Sequence, residues 1–411
     1  IFLINIMNTQ SIQILFQNKY EQTQWKSFLA EIFKNSMFFS EPESLIGIDK
    51  NIASSAFKLG YIVFNENGTE RHIAVFEVVT AQNIILERNR VGLRNLLKKF
   101  WNDFDAAFIV YHKQNEKNWR FTFVSEIREF NAQGDYVQSS TEPKRYTYLL
   151  GEGETIKTAA QRFLAVAEKG SQISLADIKD AFSVEKLSKE FFTEYKKHYD
   201  IFCNYCLAQP NIRQTIFNGD EKAIRDFNKK LLGRIVFLFF IQKKGWLGVP
   251  DNENWGNGDL NFLNNLFNNH KHSSTFYTLT LSKLFFDTLN SVRDGDLVEF
   301  DDYPKCRIPY LNGGLFEEEN TNFRNISFDG SLFKNLFEFF AKYNFTIYED
   351  DPNDHTVAVD PEMLGHIFEN LLEDNKNNGT FYTPKEIVHY MCQESLIEYL
   401  AGWFEQKGYD V

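Results

Sequence analysis

Positive charge is in deficit in this chain: 44 Lys and Arg face 56 Asp and Glu, leaving a net charge of -12. Coating nucleic acid through bulk charge is therefore excluded, because counterion release needs many phosphate contacts. Any DNA contact must come from local basic patches. Cysteine is equally scarce. Four of them (Cys203, Cys206, Cys306 and Cys392) cannot form a disulfide framework across 411 residues, and this usage fits a reducing cytoplasm. The pair Cys203 and Cys206 has the spacing of half a zinc site, but no second pair follows it and the segment reads as helix, so an ordinary helical face is expected and no metal site. Long apolar runs are missing too. Leu231 to Ile241, the longest, is interrupted by Arg234 and falls short of the roughly 20 residues that span a bilayer, so it reads as a buried helix with no membrane partner. Ile1 to Ile6 precede Met7 without a basic region and are too short for a signal peptide, so Met7 reads as the natural start. No Walker-type phosphate loop and no nucleophile elbow occurs. The histidines stand singly in periodic or polar segments, and none is assigned a catalytic role.

What the chain has in abundance is aromatic and apolar bulk: 43% of residues are hydrophobic, 16% are aromatic and 42 are Phe. That is ample apolar surface to offset chain entropy, so the protein is globular, and its length suggests two or three units. Leu59 to Phe64, Ile73 to Val79, Phe108 to His112 and Trp119 to Ser125 are rich in β-branched and aromatic residues and read as strands. Asn65 to Gly68 turns the first two into a hairpin. Arg88 to Trp101, with Val91, Leu96, Leu97 and Phe100 at helical spacing, and a helix near Trp25 to Phe33 complete an α/β domain.

Ser139 to Gly153 mixes Pro, Gly and charge without period and reads as a linker. Beyond it the character changes to helix. Thr155 to Lys169, Ser174 to Ala181, Val184 to Leu207, Glu221 to Lys243, Leu260 to Phe267, Phe276 to Leu289 and Leu332 to Tyr343 carry helical periodicity or caps, with irregular stretches at Pro250 to Asp259 and Asp294 to Ser327. Asp360-Pro361-Glu362 is a strong start signal for a helix running to Glu373. The division that follows is residues 1–138, an α/β domain; 139–154, a linker; 155–378, a mainly α-helical connector; and 379–411, the opening of another unit.

Three groups of residues invite a chemical reading. Gly379-Thr380-Phe381-Tyr382-Thr383-Pro384-Lys385-Glu386 places an aromatic pair and a hydroxyl at a helix start, where unpaired N–H groups suit a carboxylate ligand. The same string is also a well-capped helix start, with Thr as cap and Glu as its reciprocal partner. Glu77 ends an otherwise apolar strand, where an acid can pair structurally with Arg88 or Arg90. Arg90, Arg94 and Lys98 recur at intervals of four and, flanked by Arg88 and Lys99, form a basic stripe that can grip phosphates or remain a solvated face. Lys222, Arg225, Lys229 and Lys230 make a second, weaker set.

The Gly379–Pro384 string resembles the motif that opens the methyltransferase domain of adenine-N6 DNA methyltransferases. Asp360-Pro361-Glu362-Met363-Leu364-Gly365-His366-Ile367-Phe368-Glu369 is similar to the connector helix that precedes it in bifunctional type IIG restriction-modification enzymes and related phage-defence methylases. Leu231-Leu232-Gly233-Arg234, Lys243-Lys244-Gly245-Trp246-Leu247 and Tyr310-Leu311-Asn312-Gly313-Gly314-Leu315-Phe316 resemble that group as well, and their order persuades more than any one of them. The resemblance implies a Rossmann-like methyltransferase domain beginning near residue 379, S-adenosylmethionine as cofactor with Phe381, Tyr382, Thr383 and Pro384 against its methionine part, and double-stranded DNA as partner. It also implies a PD-(D/E)XK-nuclease-like fold for the α/β domain, with Glu77 in the position of a Mg²⁺-binding acid. Two departures stand out: Val79 occupies the place of the expected Lys, which Lys98 or Lys99 would have to replace, and no Asp lies a short loop before Glu77. The cofactor loop Asp-Pro-x-x-Gly-Ser-Gly and the Asn-Pro-Pro-Tyr motif of such enzymes do not occur either. The chain is therefore expected to be the N-terminal fragment of a longer enzyme that transfers no methyl group alone. A non-catalytic DNA- or protein-binding module is the competing reading, and the oligomeric state is left open.

Overall fold

The computed structural model describes residues 7–411 apart from 67, 87–95, 98–99, 101–103, 126–127, 131–135, 139–143, 312, 348–353, 364, 366–384 and 408–411. It opens with helix α1 (Thr9–Gln17), capped by a reciprocal Asn8–Ser11 box, and α2 (Gln22–Ile32). Their apolar faces, Ile12 and Phe16 on one and Trp25, Phe28 and Leu29 on the other, are buried. Strands β1 (Ser36–Ser44), β2 (Ala53–Glu66) and β3 (Thr69–Thr80) follow as an antiparallel meander. Next come β4 (Ala106–His112), parallel to β3, and β5 (Trp119–Ser125), antiparallel to β4. A short side ribbon, β6 (Arg128–Phe130) and β7 (Tyr136–Gln138), precedes β8 (Lys144–Leu150).

Residues 139–154, expected to be a linker, thus hold a sheet strand. β8 pairs antiparallel with β5 along its whole length, from Trp119 opposite Leu150 to Ser125 opposite Lys144. The polar residues that disguised it are satisfied in place: Thr147 bonds the Thr122 hydroxyl at 2.8 Å, and Arg145 lies opposite Val124 at 4% exposure. A buried polar side chain with a cross-strand partner costs the sheet little, whereas the same residue read alone suggests solvent.

The helical region holds α3 (Lys157–Glu168), α4 (Leu175–Ala181), α5 (Val184–Ala208), α6 (Glu221–Lys243) and α7 (Phe262–Asn269). Phe276–Leu281 and Lys283–Leu289, expected as one helix, are consecutive wide π-type turns. A hairpin of β9 (Leu297–Phe300) and β10 (Tyr303–Arg307) occupies part of the stretch expected to be irregular, and α8 (Gly330–Phe340) follows. Strand β11 (Asp354–Thr356) then returns to the sheet, parallel to β8. The seven-stranded sheet has the order β1-β2-β3-β4-β5-β8-β11. Beyond it lies α9 (Lys385–Gln406).

Strand alternation sorts the sheet residues onto two faces. Ile73, Val75, Phe108, Val110, Phe121 and Phe123 join one hydrophobic cluster that continues through α1, α2 and α3 into α5, α6 and α8. Phe182 sits at its middle, with ring centroids 5.1 Å from Phe121, 5.4 Å from Phe123 and 5.5 Å from Phe163. A smaller cluster around Ala74, Phe76, Val78 and Ile109 lies on the other face. The expected combination of an α/β sheet and a helical region is present. Buried residues of both regions belong to one hydrophobic cluster, each fully buried aromatic contributing about 1.5–3 kcal/mol.

Candidate functional site

Glu77 belongs to the face that meets α1 and α2. It is 6% exposed, and three side chains from distant parts of the sequence close on its carboxylate. His112 Nε2 lies 3.0 Å from Oε1, the Tyr20 hydroxyl donates to Oε2 at 3.2 Å, and the Gln22 amide donates to the same oxygen. The carboxylate can only accept, so the Nε2 of His112 carries the proton of that contact. Local structure explains the convergence. His112 lies opposite Val79 across the parallel β3–β4 register, putting it just beyond Glu77 on the same face. Tyr20 comes from the turn between α1 and α2 and Gln22 from the first position of α2, both held over the sheet by the burial of Phe16 and Trp25.

The electrostatics follow from these contacts. Burial pushes the Glu77 carboxyl up, but the bonds from His112 and Gln22, the charge of His112 and the bond from Tyr20 outweigh it and hold the group below the usual carboxylate range. Burial first, and then the charge of Glu77, push the Tyr20 phenol well above its ordinary value. The acid is therefore ionised, and its lone pairs are committed to three donors.

The donor set does not fit Mg²⁺. The ion asks for near-octahedral oxygen ligands and retains waters, whereas Glu77 faces an imidazole, an amide and a phenol. On β2, the positions opposite Glu77 and Val79 are Phe57 and Ser55, neither of them a carboxylate. Among the described residues no three His, Cys, Asp or Glu side chains come together to hold a metal. Sequence reasoning identified Glu77 but missed Tyr20, Gln22 and His112. Of these only His112, a polar residue ending the apolar strand Ala106–His112, gave any sign.

The other expected site residues fall elsewhere. Arg88, Arg90, Arg94, Lys98 and Lys99 lie outside the described residues, as do Phe381, Tyr382, Thr383 and Pro384. The second basic set is engaged: Lys230 pairs with Glu319, and Lys222, Arg225 and Lys229 each have partners. Cys203 and Cys206 are buried on α5, and burial pushes the Cys206 thiol up to about 12.

The upstream motifs turn out to be joints of the fold. Arg234, from Leu231-Leu232-Gly233-Arg234, donates through Nε to the Leu315 carbonyl at 2.6 Å and through a terminal nitrogen to that of Glu317 at 2.8 Å. Its guanidinium lies over the rings of Phe285 and Phe286, at 5.8 and 5.2 Å. It thereby fastens Tyr310–Phe316 to α6. In the next motif, Lys243 grips both oxygens of Glu154 at 2.9 and 2.8 Å. The carbonyl of Gly245 (φ +70°) accepts from the N–H groups of Gly256 and Gly258. Asp360 caps the helix it was expected to start, accepting from the Met363 N–H at 2.9 Å.

No family profile matches the chain, and no solved structure does. Among curated proteins, a protein of Methanocaldococcus jannaschii named as a type II restriction enzyme and methyltransferase is 28% identical over 377 residues. The match takes in 88% of this chain and 27% of that protein, so the chain spans about a quarter of the length of the relative. The chain is similar to a restriction-modification protein, as the order of its motifs led us to expect.

Proposed function

We propose that this chain is the N-terminal part of a DNA-modifying restriction-modification enzyme whose intact form transfers a methyl group from S-adenosylmethionine to the N6 of adenine in double-stranded DNA. The observation that carries this reading is the similarity, over 88% of this chain, to a relative bearing both activities in its name. Phe381, Tyr382, Thr383 and Pro384 would line the methionine end of the cofactor, at the start of the unit to which α9 belongs. Adenine would have to leave the base stack to be reached. The α/β domain is read as a nuclease-like fold that no longer cuts, because its acid is tied into a structural network and a lysine is lacking at Val79.

The test is the product of the whole parent gene, assayed with S-adenosylmethionine and duplex DNA. N6-methyladenine by mass spectrometry, lost in Tyr382→Ala through a raised KM for the cofactor, is the expected result. Cytosine methylation, or no methylated base, overturns the reading. Mg²⁺-dependent cleavage that survives in the wild type and vanishes in Glu77→Ala would overturn the assignment of a non-cutting α/β domain while leaving the methyltransferase reading intact.

A further inference from the structure

At the junction of the sheet and the helical region lies a cavity of about 630 Å³ that none of the expected site residues lines. Its walls include Ser125 and Lys144 from the adjoining strand ends, Tyr146 on β8, His355 on β11, Lys179 on α4 and Ser183, the cap of α5. We propose that this cavity is a phosphate-binding site, taking a phosphate of a nucleic-acid strand or of a free nucleotide.

Charge balance carries the proposal. Two ammonium groups and two carboxylates line the cavity, and they are not matched to each other. Asp180 pairs with Lys186, and Glu185 with Lys189 at 2.7 Å, so both acids are neutralised by lysines that do not line the cavity. Lys144 and Lys179 make no ion pair or hydrogen bond among the described residues. Glu66, the acid whose charge Lys179 feels, is already held by Arg71 at 3.0 Å and by the Leu175 N–H at 2.9 Å.

Lys179 is exposed at the cavity, and its partial desolvation, with the charge of Arg71 adding to it, pulls its ammonium below the usual lysine range. An anion entering the cavity would supply the opposite charge that neither Lys144 nor Lys179 finds among the described residues. The first turn of α5 opens on the same cavity, and its N–H groups add a positive dipole end. Tyr146 and His355, whose rings stack on each other at 5.4 Å and 21°, form the aromatic part of the lining.

The proposal does not rest on the methyl-transfer reading, because it concerns residues present and described here. Its test uses the 411-residue chain, a fluorescein-labelled 30-base-pair duplex followed by anisotropy between 50 and 200 mM salt, and ATP and inorganic phosphate followed by calorimetry. If the phosphate belongs to a strand, Lys144→Ala with Lys179→Ala weakens duplex binding at least tenfold, and the salt slope falls by about 1 for each lysine. If it belongs to a free nucleotide, the double variant weakens ATP binding at least tenfold and leaves the duplex unaffected. The Lys144→Arg, Lys179→Arg pair keeps the charges and should restore binding, which separates a lost contact from a lost fold. Lys334→Ala, on α8, should change nothing. Wild-type chain that binds neither duplex, ATP nor phosphate, or a double variant equal to wild type for all three, overturns the site.

Discussion

The ring of Tyr20 lies over that of His112, with centroids 4.7 Å apart, and both side chains bond the carboxylate of Glu77. A residue from the turn between two helices and one from the end of a buried strand are thus locked through a third that neither adjoins in sequence. The arrangement has the character of a rivet between α1–α2 and the sheet.

Removing its centre should be costly. Glu77→Ala leaves the Tyr20 hydroxyl, the Gln22 amide and His112 Nε2 without their acceptor, and each buried donor so orphaned costs about 1–3 kcal/mol. Urea unfolding is expected to show a loss of about 3 kcal/mol or more, and Glu77→Gln a smaller one, since the amide oxygen still accepts.

The same carboxylate sets a pH dependence. Its folded-state pKa is held below the unfolded value, so its contribution is present above the ordinary Glu range, near 4.3, and is lost as pH falls through the lower folded value. The difference in unfolding midpoint between wild type and Glu77→Gln should shrink as pH falls below about 4.3. A difference that grows in acid would contradict the sign.

Arg234→Ala should destabilise by about 2–4 kcal/mol, because charge-assisted bonds to the Leu315 and Glu317 carbonyls are lost and two phenylalanine rings lose their cationic partner. Lys at that position cannot reproduce the forked geometry and should recover less than half. Hydrogen exchange should accelerate in residues 314–317 before it does in α6.

Gly245→Ala should cost more than Gly153→Ala, although both glycines have positive φ, +70° and +85°. A Cβ at 245 would collide with the Gly256 carbonyl, whereas nothing lies within 4 Å of one at 153. Strain alone is worth about 1 kcal/mol, so thermal denaturation should place Gly153→Ala near that figure and Gly245→Ala well beyond it.

Mg²⁺ should leave the melting temperature of the chain unchanged at millimolar concentration, since a ligand that binds only the folded state must raise it. A saturable rise that disappears in Glu77→Gln would show that the carboxylate holds the ion after all.

Much of this architecture could be read from residue types, and the failures have physical causes. Trp119–Ser125 is apolar or β-favouring at all positions but Arg120 and Ser125, is buried throughout and was placed to the residue. Glu221–Lys243, with Asp220 as cap and a Lys in its last turn, was equally plain. β8 was missed because Arg145 and Thr147 look solvated until Val124 and Thr122 are known to lie opposite them. β11 is three residues long, and its partner strand lies some two hundred residues earlier, so no local pattern could announce it. Glu77 was visible as an acid in an apolar strand, but the donors that fix its role come from 57, 55 and 35 residues away. The cavity beside α5 was invisible for the same reason, being assembled from five elements by the sheet's last two strands.

That late strand has a mechanical meaning. Because Asp354–Thr356 comes home to β8 after the whole helical region has been traversed, the chain closes on itself like a strap buckled back to its own belt. Through β8, β5 and β4 that late strand is joined by continuous strand pairing to the strand that carries His112.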